Sequence, residues 1–319
     1  MKLPSRIAAS VSVVAVAIVA TVLLKPQPSW PQRDPATVPP AWADVRAYGA
    51  VGDGKHDDTE AFKRAIASGL PVLVPAPKSE AWVVKQTLVI PSQHTVAGVG
   101  KGQSIIKYLG TGPCFTTDPD TKNRTRDVTI RDLTIIGTGN TSADGILIVR
   151  SSNATLENVQ IREIGGTGLI IDGTKSGDVG QAHYAYVHNL HVVGANRIGV
   201  HLRGKGKDQG TNRHRFFFVR VGGSSDVALD IEERSGTNNF FGFSAENVKN
   251  GVRIAGRSNF FYGLQVEEAD KHGVEFLPGA ENNKFVGSTL ARVASRQRWG
   301  KPELNAARKD SDRDPEFAK

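Results

Sequence analysis

Four polar residues occupy the same position in four consecutive copies of a short repeat: His201, Asp230, Arg253 and Glu275. The repeat reads small residue, apolar residue, any residue, apolar residue. Successive side chains of a strand point to opposite faces, so the apolar residues point inward and the residue between them points outward. Imidazole, carboxylate and guanidinium groups can bind charged ligands or exchange protons. We therefore predict a row of ionisable groups on the outside of the fold.

The repeat also indicates the architecture that positions this row. Its six copies are separated by 23, 31, 29, 23 and 22 residues, and the first two copies carry Leu147 and Ile170 at the outward position. A second apolar strand lies between successive copies. One such coil cannot bury its own apolar face, whereas stacked coils form a continuous core. The sequence therefore predicts an all-β fold, a parallel β-helix of seven or eight coils.

Three further columns of residues are expected to stack from coil to coil. Turn asparagines and aspartates can hydrogen-bond to their equivalents in the next coil, which makes a structural role the expected one. Phenylalanines that open the second strand should stack inside the core. The predicted columns are Asp132, Asn158 and Asn189; Asn238, Asn259 and Asn283; and Phe240, Phe261 and Phe285.

Additional polar residues lie close to the outward row. Arg203 and Glu232 come two residues after His201 and Asp230, so they also point outward. The two long intervals predict loops over 173–183 and 204–215, which would form a wall beside the row and contribute Lys205 and Arg213. Two interpretations stay open. The row could line a binding cleft, or it could be a solvated charge ladder without function.

Two enzymatic mechanisms are compatible with the row. A hydrolase needs two carboxyl groups, and Asp230 and Glu275 lie two coils apart, about 9.6 Å, near the upper end of the range of about 6.5–9.5 Å for inverting enzymes. A lyase needs a base, for which His201 or Arg253 would serve, and a cation such as Arg203 or Lys205 to neutralise a uronate carboxylate. The catalytic candidates are His201, Asp230 and Glu275, and the substrate-binding candidates are Arg253, Arg203, Glu232, Lys205 and Arg213. No cluster of acidic residues indicates a calcium site, so no metal or cofactor is expected.

Composition excludes several classes of protein. The chain has 319 residues, a net charge of +8 and one cysteine, Cys114, which rules out an intrachain disulfide framework. The two ends carry five of the eight net charges, which leaves +3 for residues 44–295, without a basic stripe for nucleic acid. An acidic polysaccharide is the expected partner, and a non-catalytic glycan-binding or envelope scaffold is the alternative to an enzyme.

The two ends of the chain differ from its centre. Residues 7–24 are 18 consecutive uncharged residues after Lys2 and Arg6, long enough as a helix to cross a bilayer. We predict an uncleaved signal anchor or a signal peptide over 1–25, a proline-rich linker over 26–43, the β-helix domain over 44–295 and a disordered polar tail over 296–319. The positive flank orients the domain outside the cytoplasm, either anchored to the membrane or secreted.

The start of the domain resembles a known superfamily. Residues 45–62 combine a glycine-rich turn, Asp57 and Glu60 as a predicted capping box, and an amphipathic helix. Together with the segments 70–75 and 87–108, they resemble the pectate-lyase-like superfamily of right-handed parallel β-helices, which includes polysaccharide-degrading enzymes and phage tailspikes. The resemblance implies a short helix that caps the β-helix. It does not define the chemistry, because this fold serves several activities.

A comparison with the polygalacturonase subfamily is more specific. Residues 140–146 look like a stretched form of its first aspartate motif, and residues 250–255 are similar to its substrate-binding element, with Ala255 in place of lysine. The resemblance implies a substrate-binding role for Arg253. Thr167-Gly168 stands where paired aspartates are expected, and the histidine motif is missing. A standard polygalacturonase mechanism is therefore not expected.

Overall fold

The strands of the chain pair in parallel from coil to coil and form a right-handed parallel β-helix, as predicted. The architecture is that of a computed structural model, which describes residues 42–119, 123–174, 181–205, 210–223 and 225–299. Alternate apolar side chains point to the axis and form one core that extends from Ala43 to Phe285.

Three faces run along the β-helix. The first, here called the motif face, carries the repeat, and within the described residues its strands are Leu88–Ile90, Gly112–Thr117, Ala143–Val149, Leu169–Asp172, Ile198–Arg203, Val227–Ile231, the ends of Ser244–Ile254 and Gln265–Phe276, and Ser295–Trp299. The second face contains Ala43–Asp44, Val72–Val74, Thr95–Gly98, the starts of Thr129–Ile136, Thr155–Arg162 and Tyr186–Val193, and Arg215–Phe217, Asn239–Phe241, Phe260–Tyr262 and Lys284–Val286. The third face contains Trp82–Val84, Ile105–Tyr108, the remaining parts of the long strands, and Arg220–Gly222 and Thr289–Ala291.

The motif face has nine stacked strands in the part of the chain that the structure describes, so the expected seven or eight coils were too few. The repeat did not reveal the strands Leu88–Ile90, Gly112–Thr117 and Ser295–Trp299, because their sequences depart from its pattern. Thr87 stands at the position of the small residue before the first strand, and Thr117 and Gln297 stand at apolar positions in the other two. Backbone hydrogen bonds between coils do not need the apolar pattern, so pairing extends beyond it.

The first described residues cap the first coils, but the predicted capping box of Asp57 and Glu60 does not form. A 3-10 helix, Val45–Tyr48, precedes the α-helix Thr59–Ala67, whose N-cap residue is Asp58. The Asp58 carboxylate instead accepts hydrogen bonds from the backbone N–H groups of Val51 and Gly52, at 2.6 and 3.2 Å. Glu60 pairs with Lys63 one turn later, at 2.9 Å. The predicted cap residue, Asp57, instead accepts hydrogen bonds from the backbone N–H and the hydroxyl of Thr59, at 3.1 and 2.5 Å.

The predicted internal columns are confirmed. Phe240, Phe261 and Phe285 stack with ring centroids 4.6 Å apart. The Asn259 side chain accepts from Asn238 at 3.0 Å and donates to Asn283 at 2.9 Å. The other polar column also forms, since the amide of Asn158 donates to Asp132 at 2.8 Å and that of Asn189 donates to Asn158 at 3.0 Å. These columns fix the register of the coils.

A small fourth sheet, here called the corner sheet, follows the motif face. Its strands are Thr125–Arg126, Ser151–Ser152, Ala182–His183 and Thr211–Asn212. At the end of the domain, Ser295–Trp299 pairs with Gln265–Phe276 and crosses the predicted boundary at residue 295. The predicted anchor, nearly all of the linker and the predicted tail beyond residue 299 lie outside the described residues. Among the residues that are described, no helix has the length and apolar character to cross a bilayer.

Candidate functional site

The motif face brings the predicted row together. His201 pairs in register with Asp230, Asp230 with Arg253, and Arg253 with Glu275. All four outward positions therefore lie on adjacent strands, each about 4.8 Å from the next. They are not equally accessible, since His201 and Asp230 are only 7% and 5% exposed. Neighbouring polar side chains cover these two residues, so the row is not an open ladder of charges.

His201 lies beneath Glu232 and Arg203. Its Nε2 is 2.9 Å from Glu232 Oε1, and its Nδ1 accepts a hydrogen bond from Arg203 Nε at 3.3 Å. Because Nδ1 is an acceptor, the assigned tautomer carries its proton on Nε2 and donates it to Glu232. The imidazole thus orients the carboxylate from below.

The environment of Glu232 favours its ionised form. Burial acts to raise the pKa of this carboxyl, and the hydrogen bond with His201 acts to lower it. The backbone N–H of Gly204, which donates to Oε2 at 3.0 Å, and the charge of Arg203 act in the same direction. The net result is a pKa below the usual value.

Asp230 holds the guanidinium of Arg253 with two hydrogen bonds. Arg253 Nε donates to Oδ1 at 3.0 Å, and Nη2 donates to Oδ2. This contact is the main cause of a raised pKa of Arg253, and burial opposes it. His201 Nε2 also lies 3.7 Å from Asp230 Oδ2. The buried aspartate therefore fixes the arginine in one orientation, as expected for a planar guanidinium bound to a carboxylate at two points.

A cleft of about 370 Å³ opens beside these residues. Its charged lining residues include Lys205, Glu232 and Arg253, with Asp230 behind them, and Ala255 and Leu277 contribute apolar surface. Two cations, Lys205 and Arg253, and three acidic residues, Asp230, Glu232 and Glu233, thus line the same space. This mixture of apolar surface and a few oriented polar groups is typical of sites for small ligands or single sugar units.

The other predicted residues lie around this centre or away from it. Arg203 Nη1 is 3.5 Å from Asp172 Oδ2 at the rim of the cluster. Glu275 lies next to Arg253 on the following strand and, among the described residues, is not part of the cleft lining. Arg213 lies on the corner between strands, where its Nη1 donates to the hydroxyl of Tyr184 at 2.8 Å. The structure therefore unites His201, Arg203, Asp230, Glu232 and Arg253, with Lys205 at the cleft, but does not bring Arg213 to them.

Sequence reasoning did not single out Asp172. This aspartate follows Ile170 by two residues, and it pairs in register with Arg203. Its position in the repeat was therefore a usable signal, because the same offset identified Arg203 and Glu232. Among the described residues, no group of three or more histidine, cysteine or acidic side chains could hold a metal ion.

Comparison with known proteins defines the family. Residues 42–253 match the family described as rhamnogalacturonase A/epimerase, pectate lyase-like. The chain belongs to this family. The match covers the helical cap and most of the motif face, which agrees with the resemblance of the first residues of the domain.

Individual relatives match over shorter segments. The tail spike protein of Shigella phage Sf6 is 28% identical over 173 residues, which are 50% of this chain and 26% of that protein. Alginate lyase 7 of Azotobacter vinelandii is 32% identical over 146 residues, 38% of this chain and 17% of that protein. The chain thus spans about a quarter or less of the length of these curated relatives. The ORF18 protein of Geobacillus virus E2 shares the fold, with a TM-score of 0.57 and 16% identity over 94% of this chain and 65% of its own.

Proposed function

We propose that this protein binds an acidic polysaccharide in the cleft of the motif face and cleaves it by β-elimination. The observation that carries the proposal is the joint presence of Arg253, Lys205 and an ionised Glu232 around one cleft. One relative from the comparisons supports the substrate class, since it is named an alginate lyase.

The arrangement suits the chemistry of a uronate. A guanidinium carries five N–H donors, and Asp230 uses two donor groups of Arg253, so a uronate carboxylate can bind to the others. Neutralisation of that carboxylate makes the neighbouring C5 proton more acidic. Glu232, supported by His201, takes the C5 proton. The C4–O bond then breaks, a C4–C5 double bond forms, and the departing oxygen gains a proton from solvent in the open cleft.

The same geometry argues against the hydrolase that the sequence left open. An inverting hydrolase needs one carboxyl group that stays protonated near neutral pH to donate to the leaving oxygen. Asp230 is held by Arg253 through two hydrogen bonds, and the pKa of Glu232 is lowered. The lowered pKa of Glu232 favours its carboxylate form, and Asp230 is only 5% exposed with both oxygens hydrogen-bonded to Arg253, so neither group is placed to donate a proton to a leaving oxygen.

A non-catalytic glycan-binding protein is the second candidate. It is favoured by the pairing of the central charges, since Glu232 contacts His201 and Asp230 contacts Arg253. Such a network would hold cations in place for binding without any proton transfer. In that case the cleft would retain the acidic glycan, and the polymer would stay intact.

The decisive experiment separates binding from cleavage. The full chain is incubated with a panel of uronate polysaccharides, and unsaturated products are followed by absorbance while new chain ends are followed by a reducing-sugar assay. Glu232→Gln should abolish the unsaturated product but keep glycan affinity, because the amide has the shape of the carboxylate without its basicity. Arg253→Lys should weaken affinity at least about tenfold, because an ammonium cannot replace the fork of the guanidinium.

A control and three outcomes decide the result. Lys249 lies on the same strand as Arg253 but pairs with Asp226, outside the cleft, so Lys249→Gln should behave as wild type. Reducing ends without unsaturation would replace the lyase by a hydrolase. Binding without either product would favour the non-catalytic candidate. Wild-type affinity in Arg253→Lys would remove the cleft from consideration.

A further inference from the structure

A cluster of cationic side chains lies at the corner sheet, away from the cleft. Arg124 and Arg126 flank the start of this sheet, Arg150 precedes its second strand, and His183 ends its third. Arg126 pairs in register with Ser152, and Ser152 with His183, while the backbone N–H of Thr125 donates to the carbonyl of Arg150 at 3.1 Å. Three coils therefore bring these four side chains to one corner.

The cluster is separate from the proposed active site. The register continues from His183 through Asn212 to Gly236, which follows the cleft residues Glu232 and Glu233 in the chain. Gly236 is four coils from Arg126, and at about 4.8 Å per coil the separation is about 19 Å. A ligand bound at Arg124 and Arg126 would not contact Arg253.

The cationic groups repel one another. Burial lowers the pKa of Arg124, and the charges of Arg126 and Arg150 lower it further. The pKa of His183 is likewise lowered by burial first, and then by the charges of Arg124 and Arg213. Unlike the charges around the cleft, Arg124 and Arg126 form no ion pair with an acidic side chain among the described residues. An arrangement of this kind is stabilised when an anion binds to it.

Two buried nitrogen atoms at the cluster also lack hydrogen-bond partners among the described residues. Arg124 Nη1 donates to Ser152 Oγ at 3.3 Å, but its Nε is buried without a hydrogen-bond partner among the described residues, as is Nδ1 of His183. Buried polar atoms are hydrogen-bonded in the great majority of cases, and a bound anion would satisfy an orphaned guanidinium donor.

A cavity adjoins these donors. It measures about 460 Å³ and is lined by Ser92, Gln93, Asn123, Arg124 and Arg126. Among the described residues, its polar lining therefore consists of hydroxyl, amide and guanidinium groups, without a carboxylate. Guanidinium groups match the geometry of carboxylate, sulfate and phosphate oxygens, with two parallel N–H donors for each group.

We propose that Arg124 and Arg126 form a second binding site, specific for an oxyanion, with Arg150 supplying additional positive potential and the imidazole of His183 beside them. The anion is a sulfate, phosphate or carboxylate, either free in solution or carried by a glycan. The site does not depend on the proposed lyase activity, because none of its residues lines the cleft.

The test is isothermal titration of the full chain with sodium sulfate at constant ionic strength. Wild type should bind sulfate in a saturable manner. Arg124→Gln combined with Arg126→Gln should weaken binding at least about tenfold, since two charge-assisted contacts are lost. The matched control combines Arg215→Gln with Lys249→Gln, which removes the same net charge from exposed positions elsewhere. It should bind sulfate as wild type does.

Further arms identify the source of the anion and keep the test valid. Circular dichroism checks the fold, and Arg126→Gln alone, at an exposed position, provides a milder variant that should lose part of the affinity. A sulfated or polyuronate oligosaccharide that displaces sulfate would assign the site to a glycan-borne anion, whereas sulfate binding without displacement would assign it to a free anion. The proposal is wrong if wild type does not bind sulfate, or if the charge-matched control loses as much affinity as the cluster variant. Arg253→Lys should retain sulfate binding, which separates this site from the cleft.

Discussion

Replacement of Phe261 by alanine tests the stacking that holds the coils together. The ring is fully buried and lies between Phe240 and Phe285, with centroids 4.6 Å away on both sides and interplanar angles of 6° and 3°. Truncation of a buried phenylalanine to alanine costs about 3–5 kcal/mol. We expect the upper part of this range, because each lost aromatic pair contributes about 0.5–1.5 kcal/mol beyond the buried area.

The assay is guanidinium unfolding followed by far-ultraviolet circular dichroism. Phe261→Ala should shift the midpoint to lower denaturant, with an unchanged slope if the exposed surface on unfolding stays the same. Tyr262→Ala is the matched control. Tyr262 is the next residue on the strand and points outward, with 39% of its surface exposed, so its loss should cost far less. A loss below about 1 kcal/mol for Phe261→Ala would refute the inward register of this column.

Other consequences of the structure can be tested in the same way. His214 is fully buried, and burial lowers its pKa to about 3, so the unfolded chain binds a proton between about pH 6.5 and pH 3 that the folded chain does not. The free energy of unfolding should therefore decrease as the pH falls from about 6.5 to about 3, by up to about 1.4 kcal/mol per pH unit. His214→Asn should remove this part of the pH dependence in unfolding experiments. Asn259→Ala should cost about 2 kcal/mol or more in denaturant melts, because the buried Nδ2 and backbone N–H of Asn238 both lose Asn259 Oδ1 as their acceptor. An equal loss in Asn158→Ala, at a half-buried position, would contradict this reasoning. Residues 7–24 predict that the full chain fractionates with membranes, and a mature N-terminus at Asp44 or just after Ala17 would contradict the anchor.

The periodicity of the sequence was sufficient to predict the fold. Apolar residues recur at every second position along each strand, and the repeats are 22–31 residues apart. This pattern favours an arrangement in which coils stack and each coil buries the apolar face of the next. The same periodicity placed His201, Asp230, Arg253 and Glu275 in one row and Phe240, Phe261 and Phe285 in another. Such positions follow from counting residues along the chain, so no tertiary information was needed.

Contacts between side chains on neighbouring coils could not be obtained by counting. His201 was expected to be accessible as a base, but its imidazole bonds diagonally to Glu232 on the next strand and is covered by it. A diagonal contact depends on side-chain rotamers and on the stagger of the strands, which the repeat pattern does not encode. The cover that Glu232 places over His201 is therefore a result of the tertiary structure.

The sequence by itself determined the parallel β-helix, its inward columns and the outward row, because these depend on short-range alternation repeated at regular intervals. The tertiary structure alone decided which charges meet. In the folded chain, Arg253 pairs with Asp230, and Arg203 pairs with Asp172. Arg213 lies beside Tyr184, and three arginines lie together at the corner sheet, namely Arg124, Arg126 and Arg150. The interaction energy of two charges depends on their separation, and residues far apart in the chain come within a few ångströms of each other only when the coils stack.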